Sequence, residues 1–237
     1  MRFIIILLFM PLFFICSKKA KIDSTTEVYP SVVEIIFPDS VENNETVLAV
    51  FEKYDVSKSV YQWKNHLVIY DVIDTASVVG DILATISELY PEVEIKHYEA
   101  PFYVFDRKSC DDNETVEEWD NIIMTANLVD NPNMQQEYMD YHAAQAEQWP
   151  EVIKGFCNAN FQQLLVFRND RQLMLIISIP KGENLDELNP RTTENNPRVD
   201  EWNAIMAKYQ EGIVGVQPGE VWVVFAPIYN LKIKPEK

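Results

Sequence analysis

LLVFRNDRQLMLIISI, residues 164–179, reads as two apolar strands folded back on each other at Asn169-Asp170. Asn and Asp tolerate the left-handed backbone of tight hairpin turns, and the flanking runs are rich in β-branched and large apolar residues. Working outward, a helical segment from Tyr138 to Ala159 precedes the hairpin, and the strand-like NIIMTANLV, 121–129, precedes that. On the other side stand a helix from Pro197 to Gln210 and the strand VWVVFAPIY, 221–229. The order is β-α-β-β-α-β.

The first half carries the same order. SVVEIIFP (31–38) reads as strand, ETVLAVFEKY (45–54) as helix and VYQWKNHLVIYDV (60–72) as a hairpin turning near Lys64 and Asn65. ASVVGDILATISELY (76–90) reads as helix and FYVFD (102–106) as the closing strand. Each copy predicts an antiparallel sheet with helices on one face, so the other face needs cover, and one sheet covering the other supplies it. The expectation is α+β: tandem ferredoxin-like domains at 31–110 and 121–237. Between them, 111–120 reads as an acidic linker with a short helix around Trp119.

One run in the second half concentrates chemistry. QEYMDYHAAQAEQWPEV, 136–152, places Tyr138, His142 and Trp149 within about 40° of one another if the run is a single helix turning about 100° per residue. Imidazole exchanges protons near neutral pH, and flat aromatic faces suit the C–H faces of a sugar ring. Pro150 also suits the first position of a new helix, which would put Trp149 at a break. Val199, Trp202, Met206 and Tyr209 form an amphipathic stripe, so Trp202 reads either as core or as a pocket wall.

These motifs resemble the L-rhamnose mutarotase family over about residues 121–231. The matching residues are Glu137, Tyr138 and His142, then Trp149, Pro150 and Glu151, then Asn196, Pro197, Val199, Glu201 and Trp202. Two features depart from the family pattern: six residues separate His142 from Trp149, where three are usual, and Asn203 replaces a frequent second Trp. The resemblance implies an isomerase interconverting α and β anomers of L-rhamnose or a related aldose, without metal or organic cofactor. It implies His142 and Tyr138 as catalytic groups and Trp149 and Trp202 as substrate-binding groups. The family's dimeric α+β barrel implies that this chain is a monomeric pseudo-dimer rather than an obligate homodimer, its first copy having lost the site. The altered spacing and degenerate copy keep a second reading open, a non-catalytic sugar-binding accessory lipoprotein of carbohydrate utilisation.

The N-terminus differs in character. Arg2 precedes an apolar run from Phe3 to Ile15, shorter than the about 20 residues a spanning helix needs. Cys16 and the polar SKKAK follow, the pattern of a lipoprotein signal peptide (1–16) with a tether (17–30), although Ile15 stands where a small residue is preferred. The expected location is the periplasmic side of a bacterial membrane, reached through lipid on Cys16 alone. Cys110 and Cys157 then remain, free or paired.

Composition narrows the partners. A formal charge of −17, with 20 basic against 37 acidic residues and no basic clustering, argues against nucleic acid. Six glycines with no G-x-G-x-x-G or P-loop offer no phosphate cradle. His66 and His97 lie in separate elements without ligand spacing, so no metal site is expected. A small neutral sugar remains the expected partner.

Overall fold

The computed structural model describes residues 30–38, 45–71 and 76–228. Residues 1–29, which contain the apolar run, Cys16 and nearly all of the tether, lie outside the described residues.

The first half comprises β1 (Ser31–Ile36), α1 (Glu45–Lys53), β2 (Val60–Trp63), β3 (His66–Asp71), α2 (Ala76–Leu89), β4 (Glu94–Tyr98) and β5 (Tyr103–Asp106). The second comprises β6 (Trp119–Leu128), α3 (Pro132–Ala143), α4 (Gln145–Gln148), α5 (Pro150–Asn158), β7 (Gln163–Asn169) and β8 (Gln172–Pro180). It closes with α6 (Leu185–Leu188), α7 (Pro197–Met206), β9 (Gln210–Glu211) and β10 (Val223–Pro227). Both predicted hairpins form, with Lys64 and Asp170 at positive φ in their turns.

The strands make one antiparallel sheet in the order β4-β1-β3-β2-β10-β6-β8-β7-β5, with β9 beside β6. Laid flat, its two edges would stand about 38 Å apart at the usual inter-strand spacing. Yet β4 and β5 occupy those opposite edges, and only residues 99–102 join them, a reach of at most about 18 Å. The sheet therefore curls until its edges meet, and Asn169 Nδ2 at the end of β7 donates to the His97 carbonyl of β4 at 3.0 Å.

Alternation along the strands feeds three cores. Val33 and Ile35 of β1 pack under α1 and α2, while Leu164, Val166, Leu173 and Ile177 pack under the second half's helices. The opposite faces meet inside the curl, where Val32, Val68, Tyr70 and Tyr98 contact a core with Leu165, Phe167, Met174, Ile176 and Phe225. Both halves thus share one interior.

Three expectations need correction. The strand pairing β1 on its outer side is EIKHY, not FYVFD; the latter is β5 and pairs β7 of the second half. The predicted helix around Trp119 is the start of β6, where Trp119 lies opposite Pro180 in a ten-residue strand. The helical segment from Tyr138 to Ala159 is divided into three helices; one break falls at Ala144 (φ −92°, ψ 0°), and at the other Pro150, which cannot donate into a helix, pushes Trp149 out of helical backbone to φ −135° and ψ 47°.

Cys110 and Cys157, 47 residues apart, form a disulfide that fastens the segment after β5 to α5. Arg107 reinforces the joint, donating to the carbonyls of Cys157 at 3.2 Å and Glu114 at 2.8 Å.

Candidate active site

Helix α3 begins at Asn131, whose extended backbone lets its Oδ1 accept the N–H groups of Asn133 (3.1 Å) and Met134 (3.3 Å), with Pro132 at the first helical position. Tyr138 and His142, four apart, share the face turned toward the sheet, and both are buried. Their ring centroids lie 4.3 Å apart. Trp202 arrives from α7, its ring 5.2 Å from that of His142.

Trp149 sits elsewhere. The helix break removes it from the face of α3, and it packs behind Trp202 at 5.6 Å with the Arg198 guanidinium 3.9 Å from its ring centroid. It does not line the cavity.

That cavity, of about 480 Å³, lies between the helices and the outer face of β6, β7 and β8. Its polar lining includes Tyr103, Tyr138, His142, Gln145, Asn203 and Gln210, with Trp202 and Trp222 as aromatic walls. A larger groove of about 1170 Å³ runs past Tyr61, Tyr70, Trp119 and Phe225 and gathers none of Tyr138, His142, Trp149 or Trp202. Among the described residues, no group of three His, Cys, Asp or Glu side chains is placed to hold a metal ion.

Hydrogen bonding sets the polarity of the two central groups. The Tyr138 carbonyl only accepts, so His142 Nδ1, 2.9 Å away, carries the proton and Nε2 keeps its lone pair. The Trp222 indole N–H only donates, so it fixes Gln210 with Oε1 toward the indole (3.1 Å) and Nε2 toward the Tyr138 hydroxyl (3.3 Å). Tyr138 oxygen therefore accepts from Gln210, and its own proton is free for another acceptor. Burial lowers the His142 pKa from 6.5 to about 4, a shift partly opposed by its bond to Tyr138, so the ring is neutral near pH 7. Burial also raises the Tyr138 phenol above its ordinary value, partly opposed by Gln210, so it stays protonated. A proton acceptor and a proton donor thus stand side by side on one helix.

Four participants escaped the sequence reading. Tyr103 comes from β5, read as part of the other copy, and its hydroxyl donates to Gln145 Oε1. Gln145 occupies the short α4 that the unbroken-helix reading hid. Gln210 and Trp222 stand beside a helix end and a strand start, where no spacing rule marks them; a lone Trp ahead of a buried strand was the available signal.

The model of the family described as L-rhamnose mutarotase matches residues 121–231. An L-fucose mutarotase of Xanthomonas campestris pv. campestris is 30% identical over 87 residues, covering 36% of this chain and 68% of that protein. The chain belongs to the L-rhamnose mutarotase family. Membership makes it an isomerase-type protein of a carbohydrate-related family. Two solved structures align more loosely. One is a candidate monooxygenase of Fusobacterium nucleatum (TM-score 0.46, 10% identity, covering 84% of this chain and 92% of that one). The other is a haem-degrading enzyme of Listeria monocytogenes (TM-score 0.36, 11% identity, covering 83% and 98%).

Several mutarotase-motif residues act as joints around the cavity. Asn196 Nδ2 donates to the Glu151 carbonyl at 2.8 Å, tying the Trp149-Pro150-Glu151 turn to the start of α7. Glu137 accepts from the Tyr209 hydroxyl at 3.2 Å. Glu151 lies in the first turn of α5, where the helix dipole favours an anion, 3.8 Å from Arg198 Nε.

Proposed function

We propose that residues 121–231 catalyse anomer exchange of L-rhamnose or a related 6-deoxyhexose, with His142 and Tyr138 as the acid/base pair and no cofactor. The observation that carries this reading is the opposed polarity of the two groups on one cavity wall. Ring opening moves the anomeric hydroxyl proton to His142 Nε2 as the bond between the anomeric carbon and the ring oxygen breaks, while Tyr138 gives its proton to that oxygen. The open-chain aldehyde rotates about its first carbon–carbon bond. Closure on the other face returns both protons and yields the second anomer.

A buried imidazolium and a buried phenolate are each disfavoured here, so the open-chain stage, in which both groups stand charged, is short-lived and closure returns both protons quickly. Trp202 faces the same space and offers a flat surface to the sugar's C–H groups. Saturation-transfer NMR on L-rhamnose, L-fucose and unrelated aldoses tests the reading. Exchange faster than buffer for a 6-deoxyhexose is expected; exchange at the buffer rate for every sugar would overturn it.

We further propose that the two halves are tandem ferredoxin-like units forming a pseudo-dimeric barrel within one chain. Each four-strand set, β4-β1-β3-β2 and β10-β6-β8-β7, repeats one order. The last strand reaches across in both directions. β10 pairs β6 through Val223–Phe225 and β2 through Ala226 and Pro227, and the chain of β4 continues into β5 against β7. Sedimentation as a monomer is expected; an obligate dimer would contradict the proposal.

Export and lipid anchoring through Cys16 remain proposals, supported by the Cys110–Cys157 disulfide, which suits an oxidising compartment. Cys16→Ala should move the protein from the membrane to the soluble fraction, and equal solubility of both forms would count against the anchor.

A further inference from the structure

The first half of the chain reaches the Tyr138–His142 cavity through one strand. β5 lies antiparallel on β7 with Tyr103 opposite Val166. Cross-strand partners share a face, so Tyr103 lines the cavity that Val166 also lines. Backbone bonds hold the strand at both ends, from the Phe102 N–H to the Val166 carbonyl at 2.9 Å and from the Arg107 N–H to the Gln162 carbonyl at 3.0 Å. The Cys110–Cys157 disulfide fastens the segment that follows. Phe102 and Tyr103 meet the His142 ring edge-on, with centroids 5.6 and 5.3 Å away.

The Tyr103 phenol donates to Gln145 Oε1. Burial raises the pKa of the phenol, so it keeps the proton it donates. Gln145 begins α4, is 1% exposed and lines the cavity with Tyr138 and His142. A structural lock between β5 and α4 accounts for its Oε1. It does not account for Nε2, whose two N–H groups have no protein partner among the described residues. Buried amide donors nearly always find an acceptor, and the cavity is where one would enter.

We propose that Gln145 is a specificity-determining residue whose Nε2 donates to a sugar hydroxyl that takes no part in anomer exchange, with Tyr103, supplied by the first half, as its positioning residue. The inference rests on the sugar reading of this cavity. With Oε1 spent on the phenol, the amide presents only donors to the ligand. A sugar lacking that hydroxyl would leave a buried donor unpaired.

Isothermal titration of the full-length protein with L-rhamnose, L-fucose and their analogues deoxygenated at carbon two, three or four tests this without turnover. At one of the three carbons, loss of the hydroxyl should cost wild type about tenfold in affinity, the scale of one hydrogen bond. That cost should vanish in Tyr103→Phe/Gln145→Met, which removes both partners together and leaves neither buried and unpaired. Tyr103→Phe alone should shrink it, because the amide is then free to turn. Every deoxygenation costing wild type and the double variant the same would overturn the proposal, even if exchange outpaces buffer. A cost lost in the double variant, with exchange at the buffer rate, would support this contact and overturn the catalytic reading. No binding of any of these sugars would overturn both.

Discussion

The imidazole Nδ1 of His142 lies 2.9 Å from the backbone carbonyl of Tyr138, one turn back along the same helix. The bond spends the ring's proton on the backbone and leaves Nε2 as an acceptor in the cavity. With a pKa near 4, the ring is neutral at pH 5 and above, the form the proposed reaction needs. Anomer exchange, after subtraction of the buffer rate, should be flat from about pH 5 to 8 and fall through about pH 4. His142→Ala should lower it by about 10²-fold or more. The same shift sets a stability trend. The native ring takes up its proton at a lower pH than the unfolded one, so protonation of the unfolded chain costs stability as pH falls from about 6.5 to about 4, by about 3 kcal/mol at most. Urea unfolding of wild type and His142→Gln across that range should show the difference; parallel curves would contradict it.

Gln210 should matter without touching the sugar's reacting atoms. In Gln210→Glu the new carboxylate cannot donate, so the Tyr138 proton should turn toward it and away from the cavity. Exchange is expected to fall by about tenfold to a hundredfold, on the scale of losing a positioned acid. Gln210→Glu at wild-type rate would remove the relay from the mechanism.

The two tryptophans should separate by experiment. Trp202→Ala removes a cavity wall and should weaken sugar affinity, read by titration. Trp149→Ala should act mainly on stability, by about 3–5 kcal/mol, as for other buried Trp truncations. Equal affinity losses in the two variants, at equal stability, would place Trp149 in the sugar site.

A methyl group at Gly155 would sit 2.6 Å from the Thr192 carbonyl oxygen, a backbone atom in the turn beside the cavity. Gly155→Ala should therefore force the Asn189–Thr192 turn outward and destabilise the fold by about 1–3 kcal/mol. Reduced sugar affinity checks the first effect, and a thermal melt checks the second.

Replacing both Cys110 and Cys157 with Ser releases a closed loop whose ends are 47 residues apart. Chain-entropy reasoning puts the loss at up to about 4 kcal/mol. Denaturant titration with and without reductant should reproduce it in wild type and show no reductant effect in the double variant.

The second hairpin and the periodic runs around it made the α+β order legible without coordinates, because each signal is local: period 2, period 3.6, a turn at Asn169-Asp170. Tyr138 and His142 were legible for the same reason, being one turn apart on α3. Their hydrogen-bonding polarity was not, since it depends on Gln210 and Trp222, more than 60 residues downstream. The strand order repeated in both halves was expected, but the crossing of β5 to β7 was not, since pairing across the sheet edges is decided by which apolar faces meet. Trp149 shows the boundary most clearly. Sequence spacing placed it on the face of Tyr138 and His142, and Pro150 offered a local reason to doubt that. Its packing behind Trp202 under Arg198 follows only from the approach of α7. Local chemistry in the chain determined the elements and the Tyr138–His142 pairing; the contacts between distant elements decided which atoms of that pair hold protons and which aromatic ring faces the cavity.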